Sequence, residues 1–296
     1  MVLDNVPYFD PVREETVDVN YIVGGASGLQ NEIELTRTLG VTASPLPKYN
    51  LQLSAQYQQV ELRNELGALP EASTAVLNAF PDRFIRDANG QLITVDTRSI
   101  NFADENTKQL SLGIGFSIPL MAARTVPRSP TAPMRRVPPV LLQFNLYHTI
   151  ILDSSLLIRS GLPTVDLLSG GAIGITGRKL RNISNASLAL TRGSSGFRLN
   201  ATYRGPSYLQ VGTTAAPDRL TFDSIFKFDL RAFAELGQLM PGNRMARNTR
   251  LSLAIENVLG NRQGVTNLAG ITPQAYQPAF RDPIGRTVML ELRKVL

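Results

Sequence analysis

The chain of 296 residues contains no cysteine, no tryptophan and a single histidine, His148. Without cysteine it can form no disulfide and carry out no thiol chemistry. One histidine is too few for most zinc sites, which combine several nitrogen or sulfur ligands. The sequence therefore predicts no metal site and no cofactor, and it favours an interfacial position for His148 at the end of an apolar series.

Long apolar runs are also absent. No stretch approaches the ~20 residues that a membrane-spanning helix requires. The clearest helix-like run, residues 72–79, is short, and the first residues, MVLDNVP, lack both the charged and the apolar region of a signal peptide. Charged residues make up 18% of the chain, which is below the usual quarter for soluble domains. The lack of a long apolar run excludes a protein that crosses the membrane with helices.

Charge and side-chain chemistry argue against two further classes. The net charge is +6, but the basic residues are scattered and form no patch typical of nucleic-acid binding. No nucleophile, general base and orienting group occur in a convincing arrangement, and adjacent acids such as Glu14 and Glu15 resemble solvated loop charges. The sequence predicts neither an enzyme nor a nucleic-acid partner.

Alternation of apolar and polar residues is the dominant pattern, and it is typical of strands with one face in each environment. About ten such strands are predicted, each of roughly the 9–11 residues that cross a bilayer at a tilt. The apolar positions of these strands are 17–23, 33–43, 49–57, 110–118, 140–146, 186–190, 197–203, 222–236, 251–255 and 288–296. Their other face is mostly Gln, Asn, Ser, Thr and Gly, whereas a soluble sandwich would have a charged outer face, and no 40–50-residue repeat indicates a propeller.

The links between predicted strands alternate in length, as the turns and external loops of outer-membrane barrels do. Those at 44–48, 121–138, 193–196 and 237–249 are mostly short, whereas 63–106, 152–180 and 260–283 are long. The Arg/Pro-rich link 121–138 is longer than this rule expects. Asn89-Gly90 predicts a type I′ hairpin inside the first long loop. Tyr49 and Tyr57 are predicted on one strand at the two membrane interfaces.

Two segments near the end of the chain resemble a known family. Residues 282–293, DPIGRTVMLELR, resemble the closing strand of TonB-dependent outer-membrane receptors, and residues 251–262, LSLAIENVLGNR, resemble the strand before it. Assembly determinants in the closing strand are expected at Gly285, Val288, Leu290, Leu292 and Leu296. The family usually ends in an aromatic residue where this chain has Leu296.

The resemblance implies an all-β, antiparallel up-and-down transmembrane barrel, with about ten strands from a family barrel of about twenty-two. It implies a place in the Gram-negative outer membrane and a role as receptor and transporter for siderophores, cobalamin or glycans. Expected partners are membrane lipid, lipopolysaccharide, the barrel-assembly machinery, a plug domain and an energy-coupling protein. Residues 1–296 show no plug segment, so they are interpreted as the C-terminal portion of such a barrel.

The long loops are predicted to form part of an external ligand vestibule. The arginines that would attract an anionic chelate or lipopolysaccharide phosphate there are Arg83, Arg86, Arg98, Arg159, Arg178 and Arg281. Taken singly, each is more simply interpreted as an ordinary surface charge. An alternative function is a small, non-transporting outer-membrane barrel, and a barrel-embedded phospholipase ranks third because it lacks a Ser-His pair.

Two structural predictions can be checked directly. Strands 220–236 and 249–259 are predicted to form a hairpin in which Glu235 faces Arg250 and Arg231 lies diagonal to Glu256. Each opposite-charge pair contributes about 0.2–1 kcal/mol. Residues 14–23 are predicted to be the first wall strand, whose free edge must either meet the terminal strand 284–296 in a small, strained barrel or stay open.

Overall fold

The computed structural model describes residues 1–70, 72, 74–126, 135–171, 179–212, 217–240 and 242–295. Within these residues no helix combines the length and the apolar character needed to cross a membrane. The described chain is built mainly of strands, and its three helices are short. The helices are α1 (Thr74–Ala79), α2 (Leu236–Leu239) and α3 (Pro278–Arg281).

The strands fall into one large and three small sheets. They are β1 (Val2–Asp10), β2 (Glu15–Ile22), β3 (Ile33–Leu46), β4 (Leu51–Gly67), β5 (Phe84–Arg86), β6 (Leu92–Asp96), β7 (Ile100–Met121), β8 (Arg124–Val126), β9 (Arg135–Val137), β10 (Val140–Leu157), β11 (Val165–Asp166), β12 (Asn182–Arg192), β13 (Ser195–Arg204), β14 (Ser207–Gly212), β15 (Pro217–Phe222), β16 (Ile225–Glu235), β17 (Thr249–Glu256), β18 (Val265–Thr266) and β19 (Thr287–Lys294).

The large sheet has ten strands and is antiparallel throughout. Its order is β19-β17-β16-β13-β12-β10-β7-β4-β3, with β11 paired to β10 beside this path. Each strand of the path therefore pairs with the next large-sheet strand along the chain, which is an up-and-down order. The predicted all-β, antiparallel up-and-down architecture with about ten strands is confirmed. Its membrane location stays a prediction.

One face of the large sheet is polar from edge to edge. The register aligns Ser54, Gly113, Tyr147, Asn185, Thr202 and Lys227 in one row across six strands. Side chains on this face bond across strands, as when Gln109 Nε2 donates to Gln58 Oε1 at 2.7 Å. A Cβ at Gly113 would lie 2.9 Å from the Tyr147 ring, so glycine at this position makes room for the tyrosine.

The other face of the large sheet is apolar. One row aligns Leu53, Ile114, Leu146, Ala186, Ala201 and Phe228. Towards the sheet edges these side chains are strongly exposed: 75% for Leu39 and 68% for Leu290. His148 lies on this face, where its Nδ1 is 2.7 Å from Ser184 Oγ, and its interfacial position stays a prediction. A broad apolar face left open to water is unusual for a soluble protein.

Both edges of the large sheet are open in the part of the chain that the structure describes. β3 pairs only with β4, and β19 pairs only with β17. All fourteen residues of β3 are exposed. Each edge therefore presents unpaired backbone N–H and C=O groups.

The N-terminal strands lie outside the large sheet, so the prediction of residues 14–23 as the first wall strand is wrong. β2 pairs with β1 and, in parallel, with β6, in a small sheet of order β1-β2-β6-β5. One face of this outer sheet packs on the loop-side ends of β7 and β10 through a core that includes Val19, Phe84, Leu156 and Ile158. Val17, Val19 and Tyr21 alternate with polar residues because one face of β2 is buried in that core. A strand with one face in lipid would show the same alternation.

Three local predictions are corrected in detail. The Asn89-Gly90 hairpin exists between β5 and β6, but only Gly90 has a positive φ, so the turn is not type I′. The Asp87 carboxylate accepts the backbone N–H groups of Asn89 and Gln91 and shapes this turn instead. Tyr49 lies in a 3₁₀ turn, Pro47–Tyr49, rather than on the strand that carries Tyr57. Phe222 belongs to β15, in the small sheet β14-β15-β18, and not to the wall strand.

Candidate ligand-binding basin

A cavity of about 490 Å³ opens at the long-loop end of β13 and β16, on the polar face of the large sheet. We call it the basin. Its lining combines strand residues with the segment before β19: Thr202, Arg204, Ile225, Lys227, Asp229, Arg262, Gln263, Tyr276, Pro278, Arg281 and Asp282. The volume lies within the range of small-molecule sites.

Positive charge exceeds negative charge in the basin. Four basic residues line it against two acids. Lys227 Nζ lies 3.2 Å from Asp282 Oδ2. The hydrogen bond from Lys227, followed by one from the backbone N–H of Gly285, lowers the pKa of Asp282, so this carboxylate is ionised at neutral pH and neutralises the lysine. The three arginines, against the one remaining acid Asp229, leave an excess of two positive charges.

Aromatic rings hold Arg281 at the rim. Its guanidinium carbon is 5.6 Å from the ring centroids of both Phe222 and Tyr276. The two rings meet edge to face at 5.5 Å, and Phe222 is buried. Stacking of this kind orders a guanidinium without neutralising it, because the ring contributes a quadrupole and no net charge. Arg281 is therefore fixed and still carries its full charge into the basin.

Two further arginines face the basin without an ion pair among the described residues. Arg262 donates from Nη2 to the carbonyl oxygen of Pro283 at 3.3 Å. Arg204 ends β13, where its register partner in β16 is Ile225. A planar guanidinium presents several N–H donors to a carboxylate or phosphate, so these two side chains are suited to anion binding.

Most of the arginines predicted for the vestibule have other partners. Arg83 and Arg98 both pair with Asp96, Arg86 pairs with Asp10, and Arg159 lies 3.6 Å from Asp82. These four stabilise the outer sheet and its loop, and they are not free to attract an anion. Arg178 is outside the described residues. Of the five that the structure describes, only Arg281 lines the basin.

Two of the remaining basic lining residues were not among the six because the sequence places them on strands. Lys227 and Arg204 both occupy polar-face positions of alternating strands. This alternation could have identified them, because polar-face side chains at the loop end of adjacent strands lie close together. Arg262 is the last residue of the 251–262 motif and lies in the long link 260–283, so the loop criterion that selected Arg281 covers it as well.

Below the basin, charges are arranged in rows across the polar face. The predicted register is confirmed, because Glu235 pairs with Arg250 and Arg231 pairs with Ala254, which places it diagonal to Glu256. Like charges also face each other directly, as Arg198 does Arg231 and Arg250 does Arg293. Within the described residues none of these arginines forms an ion pair, although Arg250 stacks on Phe233 at 4.8 Å.

A carboxyl cluster lies at the loop end of β4 and β7, well beyond the apolar band that ends at Tyr57. Burial and the nearby Glu105 raise the pKa of Glu65 to about 7. Lys179 Nζ lies 3.0 Å from Glu105 Oε1 and neutralises that acid. No group of three or more His, Cys, Asp or Glu side chains with the geometry of a metal site occurs in the described ranges. The ion pair between Lys179 and Glu105 connects the residues before β12 to β7.

The proposed assembly determinants occupy the sheet edge. Gly285 has φ +66°, and a Cβ there would lie 2.9 Å from Arg262 Nη2. Val288, Leu290 and Leu292 pair with Ile255, Leu253 and Leu251 on the apolar face. Leu296 is outside the described residues. The structure does not bring these residues into the basin, and their role in assembly stays a prediction.

Comparison with known proteins gives limited overlap. No protein-family model matches the chain, and no curated protein sequence matches it. Among solved structures it is similar to a mutant (G324V) of the ferric enterobactin receptor PfeA from Pseudomonas aeruginosa, with 14% identity and a TM-score of 0.48. That match covers 98% of this chain and 34% of the receptor chain, so the chain spans about a third of the receptor's length.

Proposed function

We propose that this chain forms part of the wall of an outer-membrane transport barrel of the TonB-dependent receptor type. The observation that carries the proposal is the large sheet, with one polar face, one apolar face and two open edges. The motifs at 251–262 and 282–293 support the family, since they form the adjacent strands β17 and β19, as the resemblance implies.

The apolar face supports a lipid-facing surface. Its leucines, isoleucines and phenylalanines extend across all the strands of the path, and helices do not cover it among the described residues. Transfer of such a surface from water to hydrocarbon contributes about 25 cal/mol per Å². The same transfer would be prohibitive for the polar face, which instead suits a water-filled or protein-filled lumen.

The unpaired charge rows support a polypeptide partner within that lumen. Arginines that face each other directly across strands are destabilising on their own. A plug domain carrying acidic groups at matching positions would neutralise them. In an intact receptor an energy-coupling protein would act on the plug, and the assembly machinery would recognise the closing strand with Gly285, Val288, Leu290, Leu292 and Leu296.

The basin supports ligand uptake at the external end. Its excess of unpaired arginines favours a negatively charged member of the expected siderophore, cobalamin or glycan classes. No residue arrangement in the basin provides acid–base or nucleophilic chemistry, so the proposed role is binding and passage. Lipopolysaccharide would surround the outer end of the wall.

Location is the first test. The chain expressed in a Gram-negative host with an export signal is expected in the outer-membrane fraction, released by detergent and retained after a high-salt wash. The physical reason is that the apolar face is stable only against acyl chains. Recovery as a monodisperse species in buffer without detergent would contradict the membrane assignment.

Charge selectivity of the basin is the second test. Binding of ferric citrate, which is anionic, and of a neutral ferric hydroxamate is measured by equilibrium dialysis on the detergent-solubilised full chain. The anionic chelate is expected to bind more tightly, and R204Q/R262Q is expected to weaken it roughly tenfold or more, since charge-assisted hydrogen bonds contribute about 1.5–3 kcal/mol each.

The matched control for this test is R219Q. Arg219 is also at the loop end and stacks on Tyr208 at 5.6 Å, but it is not part of the basin lining. Its replacement should leave chelate binding within about twofold, as expected for a screened, distant charge. Equal affinity for the two chelates, or an equal loss in control and double variant, would contradict the assignment of an anion site.

A further inference from the structure

The two ends of the large sheet differ in charge. Because the sheet is up-and-down and antiparallel, the links that follow β3, β7, β12 and β16 lie at one end, together with the end of β19. We call this the turn end. The opposite end carries the long loops, the outer sheet and the basin.

Every link at the turn end is basic and none contains an acid. Residues 47–50, 119–139, 192–195, 236–249 and 293–296 include no Asp or Glu. Their basic residues are Lys48, Arg124, Arg128, Arg135, Arg136, Arg192, Arg244, Arg247, Arg293 and Lys294. Arg128 lies outside the described residues. The loop end, in contrast, mixes both signs, with several arginines and lysines held by Asp or Glu.

Several basic side chains at the turn end have no acidic partner in the part of the chain that the structure describes. Among the described residues no ion pair involves Lys48, Arg124, Arg192, Arg244 or Arg247. Lys294 Nζ donates to the carbonyl oxygen of Met245 at 2.8 Å, which holds the end of β19 against the β16–β17 link. The charge therefore extends across the sheet from β3 to β19 and faces outward.

Exposed apolar side chains lie among these charges. The set includes Leu46, Tyr49, Leu120, Met121, Leu239, Met240, Met245 and Val295, and Met245 reaches 81% exposure. Lys48 Nζ lies 5.5 Å from the ring centroid of Tyr49. Basic groups beside exposed apolar and aromatic groups match the chemistry of a bilayer interface, where phosphates lie next to the first acyl carbons.

The described ends of the Arg/Pro-rich link, 124–126 and 135–137, belong to the turn end. These ends pair as a two-stranded ribbon, with β8 antiparallel to β9 and Arg124 opposite Val137. The ribbon extends the turn end between β7 and β10, beyond what a short turn would provide. A few residues are enough to connect two adjacent antiparallel strands. The greater length and the basic residues of this link are therefore not explained by the connection itself, and they suggest a role in binding.

We propose that the turn end binds the anionic phospholipid headgroups of the leaflet on its own side of the membrane. The inference rests on the proposed function, because it needs the apolar face to be in a bilayer. The basic side chains would contact phosphate oxygens while the neighbouring methionines, leucines and Tyr49 enter the acyl boundary. The basic links would thus fix the depth and tilt of the wall.

The test measures lipid selectivity of the full chain reconstituted in phosphatidylcholine. Spin-labelled phosphatidylcholine or phosphatidylglycerol is added as probe, and the motionally restricted fraction at the protein surface is recorded by electron spin resonance. We expect phosphatidylglycerol to associate at least about threefold more strongly, given that one basic residue near an anionic surface contributes a few-fold in affinity. Raising the salt to 1 M should abolish the preference by screening.

Variants separate the two ends. The turn-end variant R124Q/R192Q/R244Q/R247Q should lose most of the preference, and the loop-end control R63Q/R181Q/R219Q/R286Q, which removes the same charge, should keep it. Retention of the restricted phosphatidylcholine fraction shows that each variant is still inserted. If a variant does not insert, the salt dependence of the parent chain decides alone.

The outcomes distinguish the two proposals. No restricted lipid of either kind would mean that the chain has no lipid-facing wall, which overturns the proposed function and this inference with it. Restricted lipid without a phosphatidylglycerol preference, a preference that survives 1 M salt, or an equal loss in the loop-end control would overturn the headgroup inference and leave the membrane wall standing.

Discussion

Residues 1–296 expressed alone are expected to show no change in gel mobility on boiling after refolding in detergent. Closed outer-membrane barrels resist SDS until heated, because closure leaves no strand edge for the detergent to invade. In this chain β3 and β19 each have one neighbour among the described residues. An unpaired N–H or C=O group in hydrocarbon costs several kcal/mol, so the two open edges are where SDS enters the inserted sheet and denatures it without heating.

The companion experiment supplies the missing neighbours. Co-expression with a segment that provides strands for both edges is expected to restore a boiling-dependent shift in the complex. A clear shift for residues 1–296 by themselves would show that β3 and β19 pair with each other. That result would reject the partial-wall interpretation and favour a small, self-contained barrel.

The sequence predicted the large sheet well because the alternation of apolar and polar residues within each strand also determines how the strands pair. Once one face of every strand meets the same environment, a register error of one residue would reverse a whole strand. The pairing of Glu235 with Arg250 therefore followed from the apolar positions Phe226 to Leu236 and Leu251 to Ile255. The length of β7, Ile100–Met121, did not follow from the sequence, because apolar and polar residues do not alternate regularly in its loop-side half.

The N-terminal strands show the limit of the same reasoning. Alternation in β2 indicates one buried face, and it cannot say whether lipid or protein covers that face. The core formed with Phe84, Leu92 and Val95 depends on contacts about seventy residues away along the chain. The partner of Arg86 was unpredictable for the same reason, since Asp10 is 76 residues away along the chain and comes near only when the outer sheet is assembled. The pair between Arg98 and Asp96, in contrast, is local, because the two residues are two positions apart.

Replacing Arg86 with methionine is expected to destabilise the outer sheet strongly. The guanidinium makes two bonds to the Asp10 carboxylate, Nη1 to Oδ2 at 2.6 Å and Nη2 to Oδ1 at 2.8 Å, and Asp10 is 0% exposed. Removal of one partner from a buried ion pair typically costs about 3–5 kcal/mol, because the remaining charge is left without compensation. Amide exchange in β1, β2, β5 and β6 should accelerate by roughly two to four orders of magnitude.

The pKa of Asp10 determines how the loss of stability in R86M changes with pH. The hydrogen bond from Arg86 lowers the pKa of Asp10 below its usual value, outweighing burial, which alone would raise it. Stability from the pair is therefore fully present above the ordinary aspartate pKa of 3.8 and is lost as the pH falls through the lower value in the folded chain. In R86M the burial effect remains, so Asp10 takes up a proton more readily and the deficit should shrink on acidification.

Two controls separate loss of the pair from loss of packing. D10N/R86M removes both charges and should recover part of the protection at neutral pH, because no buried charge is left behind. R13M breaks the pair between Arg13 and Glu15, whose side chains are both 44% exposed, and should cost about 1 kcal/mol or less. If R86M and R13M accelerate exchange equally, or if the R86M deficit is independent of pH, the Asp10–Arg86 pair does not hold the outer sheet together.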